Sequence, residues 1–443
     1  MSNFNVQSGC GDENEQGTLT VSQALQNMLG AITERRNTEQ IHISEAVDRI
    51  LAQAISSPLN VPSHRNSAVD GYAVLQADLP SGEDTKTLNI IGRVVAGHPY
   101  KDELSGKALP SASRKLTLCR SKGELQQGDC IQIMTGAQMP DLADTVIMQE
   151  HVEVTGDSIR LDGRHTGGQN VRQAGEDIQV GQVVLQTGIK LTPPQIGLIA
   201  SLGIAEIRVK TPLTAAVFST GDEVLSLGEA AKEGCIYDSN RYSMISALKK
   251  LGCNVLDMGI IPDDPEKLRL AFEQAANSAD VILTSGGVSV GEADYTKQVL
   301  MEAGSINFWK VAMKPGRPVA FGNINDTIFF GLPGNPVAVM VTFYQFALPC
   351  LQKMMGLSKP LISPIIKAQC SNTIRKIPGR SEFQRGILSQ TSSGEWQVCT
   401  TGKQGSGILR SMSEANAFII LEHERTSIKK GEWVNVQPFS GLF

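Results

Sequence analysis

Hydrophobic positions change their spacing several times along the chain. In residues 19–35 Leu19, Val21, Ala24, Leu25, Met28, Leu29 and Ile32 recur at intervals that place them on one helical face. This predicts an amphipathic helix with Ser22 at its N-cap, and a second helix is expected over 44–55. From about 58 to 188 the pattern becomes short and β-branched, as in LNIIGRVVAG, CIQIMTGA, TVIMQEHVEV and SIRLDG. Turn pairs such as Asp162-Gly163 punctuate it. That stretch reads as an all-β, barrel-like insertion.

From Thr214 the pattern alternates differently. Strands AAVFST, NVLDMGII, DVILTSGG, INFWKVAM and TIFFGL are separated by helical stretches, and a long helix is expected over PVAVMVTFYQFALPCLQKMMG. Apolar strands alternating with helices predict a doubly wound, mostly parallel α/β sheet with helices on both faces. From about 363 the chain is β again, and five or six short strands suggest a small C-terminal β-barrel.

Composition narrows the function. The 443 residues are 41% hydrophobic and 19% charged, ordinary for a globular protein with a core, and the net charge of -5 argues against general nucleic-acid binding. The polar, acidic leader over 1–17 has no signal-peptide pattern and reads as disordered. The apolar run 337–351 is too short and too polar to span a bilayer. None of the eight cysteines forms a CxxC pair, and the six histidines are scattered. Free thiols in a cytoplasmic protein are the expectation.

Ligands of an open parallel sheet bind beyond the carboxyl ends of its strands, so the loops after the strands carry the chemistry. They are Gly221-Asp222-Glu223, then Ser285-Gly286-Gly287 with Ser289, Glu292 and Asp294, then Lys314-Pro315-Gly316-Arg317, then Pro333-Gly334-Asn335-Pro336. Glycines let backbone N–H groups approach an oxyanion, and Pro336 opens a helix whose N-terminus adds partial positive charge. Lys310, Lys314 and Arg317 add full charges. Glu223, Glu292 and Asp294 fit beside phosphate only if a cation intervenes, because two like charges 4 Å apart repel by about 4 kcal/mol at an effective dielectric of 20. Mg²⁺ bridging carboxylate and phosphate removes the conflict. The other reading of Glu292 is that it only complements the dipole of the next helix.

The motifs NSAVDGYA, IMTGAQMP, VRQAGEDI, STGDEV, YDSNRY, TSGGVSVGEADYT, KPGRP and FGLPGNPVAV, in that order, resemble the molybdopterin molybdenumtransferases, the MoeA-like family related to the gephyrin E domain. The resemblance implies an elongated, L-shaped multidomain subunit that forms a homodimer. Its parts would be the leader 1–17, an α/β molybdopterin-binding domain of 18–37 plus 213–361 with a helix over 18–37, and a connecting domain of 38–57 plus 181–212. An inserted β domain over 58–180 and a C-terminal β-barrel domain over 362–443 complete it. The implied reaction inserts molybdate into adenylyl-molybdopterin with Mg²⁺-assisted cleavage of the phosphoanhydride and release of AMP. Molybdopterin adenylyltransferase and molybdoenzyme acceptors are the implied partners.

By position, the resemblance implies catalytic roles for Asp70, Thr135, Asp177, Glu223 and Asp294, and Mg²⁺ ligation by Asp294, Asp263 and Glu223. It implies substrate contacts from Lys310, Lys314, Pro333, Pro336, Arg385 and Ser406. Plainer readings stay open: Asp70-Gly71 and Thr135-Gly136 as turns, Asp263 as a helix cap, and Arg385 as a solvated strand residue. Gln173 stands where the family often has a second arginine. Two other functions also stay open, an adenylyltransferase and a non-catalytic gephyrin-like scaffold. A variant devoted to tungsten is a third, weaker alternative.

Overall fold

The computed structural model describes residues 18–100, 124–287, 295–359, 361 and 363–439. The expected leader over 1–17 lies outside the described residues, as do Ser289, Glu292 and Asp294.

The α/β unit is built on seven strands: β1 (Thr18–Leu19), β2 (Thr214–Thr220), β3 (Asn254–Ile261), β4 (Val281–Ser285), β5 (Ser305–Val311), β6 (Pro318–Ile324) and β7 (Thr327–Leu332). Their order across the sheet is β1-β5-β6-β7-β4-β2-β3. Only β6 runs against its neighbours; every other adjacent pair is parallel. The expected strands are present, but β6 is an addition. The sequence reading passes from the loop at Lys314 straight to β7. A two-residue turn at Asn325-Asp326, with Asn325 at φ 52°, folds β6 onto β7 and is the signal that marks it.

Alternate side chains of the central strands face two cores. Ala215, Val217, Leu283 and Phe330 pack with α1 (Val21–Ala31), α2 (Asn240–Leu251) and α5 (Pro336–Thr342). Ala216, Phe218, Ile282 and Phe329 pack on the other face with α3 (Pro265–Ser278) and α4 (Tyr295–Ala303). Burial on both faces is why these strands read as unbroken apolar runs.

Three local expectations change. Thr20, not Ser22, caps α1: its hydroxyl accepts from Gln23 N, and Gln23 Oε1 accepts from Thr20 N, a reciprocal capping box. The helix itself ends at Ala31. The second helix, over 44–55, is only a 3₁₀ turn at Ile43–Glu45. Asp48 sits at φ 66°, and the chain then extends so that Ile50 bridges Lys190 and Leu51 bridges Val209. Burying Leu51 and Ile55 against Ile207 and Val209 outweighs local helical preference. The long helix is interrupted by a π turn at Phe343–Ala347 before α6 (Leu348–Met354). Pro349 cannot donate to the helical ladder, and Thr342 Oγ1 donates back to Ala338 O.

The inserted unit is a six-stranded sheet whose order runs Thr145–Met148, Gly71–Val74, Asp129–Ile133, Gly82–Val94, Ser158–Gly163, Glu153–Thr155. In the C-terminal unit Ser381–Gln390, Trp396–Thr400, Ile366–Cys370, Trp433–Pro438 and Ala417–Leu421 pair in a closed five-strand barrel. The pair Met313–Lys314, from the α/β unit, adds alongside Ser381-Glu382. No helix of the described residues is long and apolar enough to cross a membrane.

Asp70-Gly71 is not a hairpin turn. Gly71 opens a strand paired on both sides, and a Cβ there would collide with the carbonyl of Ile147. Gly71→Ala is therefore expected to destabilise the inserted sheet by about 3 kcal/mol or more, read as a lowered midpoint in urea unfolding.

Candidate active site

The carboxyl ends of β2, β4 and β7 lie in register, Ser219 opposite Ser285 and Ser285 opposite Leu332. Their loops therefore start side by side. Gly286, at φ 91°, lies so close to β2 that a Cβ would stand 2.8 Å from Thr220 O, and a Cβ on Gly334 would sit 4.0 Å from Gly286 Cα. Asn240 Nδ2 donates to Gly334 O at 2.7 Å, joining α2 to the same point. Gly316 leaves room for Thr342 of α5, where a Cβ would meet Thr342 Cγ2 at 2.5 Å. Three of the loops thus meet at one edge of the sheet, and the fourth, Lys314–Arg317, leaves the same edge after β5 and packs against α5.

Beneath them lies a buried polar network. Ser219 Oγ donates to Asp238 Oδ1 and lies 3.0 Å from Ser285 Oγ. Arg241 Nε binds Asp238 Oδ2 at 2.8 Å, and its Nη1 reaches Asp257 Oδ1 at 2.5 Å. The two carboxylates hold the guanidinium above its usual range against the opposing pull of burial. The motif YDSNRY has no assigned role in the sequence reading, and here it supplies the base of the edge. Asp and Arg three residues apart on a helix start is the signal. Among the described residues Thr220 Oγ1 and Asn240 Oδ1, both buried, have no hydrogen-bond partner.

The acidic candidates gather on one side. Glu223 folds back over Gly221, where a Cβ would lie 2.5 Å from its Oε2. Asp263 N donates to Asp222 Oδ1 at 3.2 Å. Asp264, not Asp263, caps α3, accepting from Glu266 N and Lys267 N. Asp222, Glu223 and Asp263 are exposed. Among the described residues no three acidic, histidine or cysteine side chains form a ready metal cage. Mg²⁺ is commonly held by one or two carboxylates and completed by substrate phosphates, and this hard-oxygen donor set fits that use.

The basic candidates occupy the opposite side. Lys310 is the penultimate residue of β5, and Arg317 O accepts from Val311 N. Lys314 Nζ lies 3.5 Å from Glu382 Oε1 of the barrel. Pro333 is buried, and Pro336 opens α5. The first N–H of that helix, from Val337, donates to Ser406 O, so the barrel loop already occupies this donor. Arg385 is not a solvated strand residue but is 1% exposed. Its Nε donates to Ser411 Oγ and its Nη2 to Gly405 O. Among the described residues no carboxylate pairs with it, and burial pushes it down to about 10, so it remains a cation at neutral pH.

Asp70 and Thr135 meet in the inserted sheet. Asp70 Oδ1 accepts from Thr135 N and Thr135 Oγ1, both at 2.7 Å. Asp177 is exposed, and its N donates to Val61 O at the cis Val61-Pro62 bond.

Residues 19–203 match the description "MoeA N-terminal region (domain I and II)", 216–353 match "Probable molybdopterin binding domain", and 367–439 match "MoeA C-terminal region (domain IV)". A molybdopterin molybdenumtransferase of Haemophilus influenzae is 41% identical over 425 residues, covering 96% of this chain and 99% of the relative. The chain belongs to the MoeA family. A gephyrin of Dictyostelium discoideum is 30% identical, and 63% of its length is covered. The crystal structure of a molybdopterin biosynthesis moeA protein from Pyrococcus horikoshii superposes with a TM-score of 0.79 at 28% identity, covering 95% of this chain and all of that one. The family expected from the motifs is the family found, and its multidomain fold, with a mostly parallel sheet and a closed C-terminal barrel, is the one present.

Hydrogen bonds from Thr135, the backbone donor first and the hydroxyl second, hold the Asp70 carboxyl below its usual range. A depressed folded-state value means that the contribution to stability is present above the usual carboxylate range and is lost as pH falls through the folded value. In Thr135→Ala the Asp70 carboxyl is expected to titrate at higher pH than in the parent protein, as followed by carbon-detected NMR.

Proposed function

We propose that the chain inserts molybdate into adenylylated molybdopterin, releasing AMP. The observation that carries the reading is the gathering of strand-end loops at one sheet edge, three of them in contact around Gly286, with the carboxylate-bearing loops on one side and the lysine-bearing loop after β5 on the other. The substrate joins a pterin phosphate to AMP and is multiply anionic, so its recognition demands backbone amides and cations at close quarters.

In this reading Ser285, Gly286 and Gly287 cradle the phosphate, and the motif assigns Ser289 to the same ligand. Lys310, Lys314 and Arg317 face the negative oxygens, the enclosed Arg385 adds a positive charge without touching them, and Pro333, Pro336 and Ser406 shape the floor. Glu223 and Asp263, with Asp294, would hold Mg²⁺, which supplies neutralisation of charge on the pyrophosphate when bound. Attack of a molybdate or water oxygen on phosphorus breaks the phosphoanhydride, and the bridging oxygen leaves with one of the two phosphates; molybdenum forms two bonds to the sulfurs of the pterin dithiol, one molybdate oxygen leaving as water with the two thiol protons. In this reading Glu223 takes the proton that an attacking water releases. In a cytoplasmic homodimer Asp70, Thr135 and Asp177 of the partner subunit close the cleft. The adenylyltransferase supplies the substrate, and molybdoenzymes accept the product.

The test is to incubate the protein with adenylyl-molybdopterin, Mg²⁺ and limiting molybdate and to measure AMP. AMP rising with molybdate is expected; no AMP from folded protein overturns the reading. Glu223→Gln is expected to slow AMP release by about 100-fold with an unchanged melting temperature.

A further inference from the structure

Glu382 is a carboxylate where an anion-binding site should have none. It lies on the barrel strand Ser381–Gln390, next to Lys314 across the parallel pairing Lys314–Glu382. Its side chain is 7% exposed, whereas that of Lys314 is 61% exposed. Glu382 Oε1 faces Lys314 Nζ at 3.5 Å, and Oε2 accepts from Gln384 Nε2 at 2.9 Å. Among the described residues Lys376 also senses Glu382, but its ammonium is taken up by the carbonyls of Ile377, His423 and Arg425. Lys314 is therefore the partner with a solvent-facing side, and it is the one that the proposed reaction assigns to the oxyanion.

Two consequences follow from simple electrostatics. A lysine side chain surrenders rotamer freedom when it is held in place, and the buried carboxylate holds it before any ligand arrives. An incoming oxyanion must then share the ammonium with Glu382 and sit near a second negative charge, which weakens its binding. Gln384 secures the carboxylate so that it cannot swing away.

We propose that Glu382 is a positioning residue that acts through Lys314: a resident anion that aims the ammonium in the empty site and lowers the affinity of that site for molybdate. The proposal rests on the reading of Lys314 as an oxyanion contact, and it adds a setting for affinity, which keeps molybdate exchangeable.

The test uses the full chain and the isosteric variant Glu382→Gln. Direct binding of molybdate by calorimetry is expected to tighten by roughly 5- to 10-fold, and the KM for molybdate in AMP release to fall with it. In a Lys314→Met background the same substitution is expected to leave molybdate binding unchanged, because the coupling passes through the ammonium. Unchanged or weaker binding by folded Glu382→Gln overturns the proposal, as does an equal gain in the Lys314→Met background. If Glu382→Gln does not fold, molybdate is titrated into parent protein carrying ¹³C-labelled glutamate. A shift of the Glu382 carboxyl resonance with saturating molybdate supports the proposal, and an unmoved resonance overturns it. Since binding is measured apart from turnover, tightened molybdate binding without AMP release would sink the proposed reaction and leave the role of Glu382 standing. Normal AMP release with unaltered binding would do the reverse.

Discussion

A guanidinium and a carboxylate withdrawn from water together hold the working edge of this protein. Arg241 and Asp238 are both almost fully buried, and Asp238 passes their constraint to Ser219 and so to Ser285, the last residue before the glycine loop. Removing one member of such a pair leaves an uncompensated charge and costs about 3–5 kcal/mol. The loops above contain glycines and little bulk of their own, so their positions depend on this base. The start of α2, the ends of β2 and β4 and, through Asn240, the loop after β7 are tied to it.

Most of the α/β unit was legible because its central strands β2, β4 and β7 are apolar on both faces and helices such as α1 and α3 carry one apolar stripe. The element that escaped, β6, follows a loop dense in proline and glycine, where propensity says little. Pairing with β5 and β7 makes it a strand. The 44–55 segment misleads for the opposite reason: its residues suit a helix, but Leu51 and Ile55 find their burial only when extended.

The candidate site was legible as a set of loops but not as a balance of charges. Glycines and lysines stand out in the sequence because their chemistry is local. The burial of Arg385, the pairing of Lys314 with Glu382 and the use of Val337 N by Ser406 all arise between segments distant along the chain. Nothing in EFQRG distinguishes a rim arginine from one enclosed by Ser411 and Gly405.

The dipeptide Met313–Lys314 belongs by sequence to one unit and by pairing to another. Phe383, Phe418 and Phe439 of the barrel likewise pack into the same core as Phe330 and Val339. The C-terminal module is thus no interchangeable cassette. Grafted onto a foreign scaffold, it would arrive without a neighbouring strand and with an aromatic flank laid bare, so recombination between relatives is constrained to move both pieces as a unit.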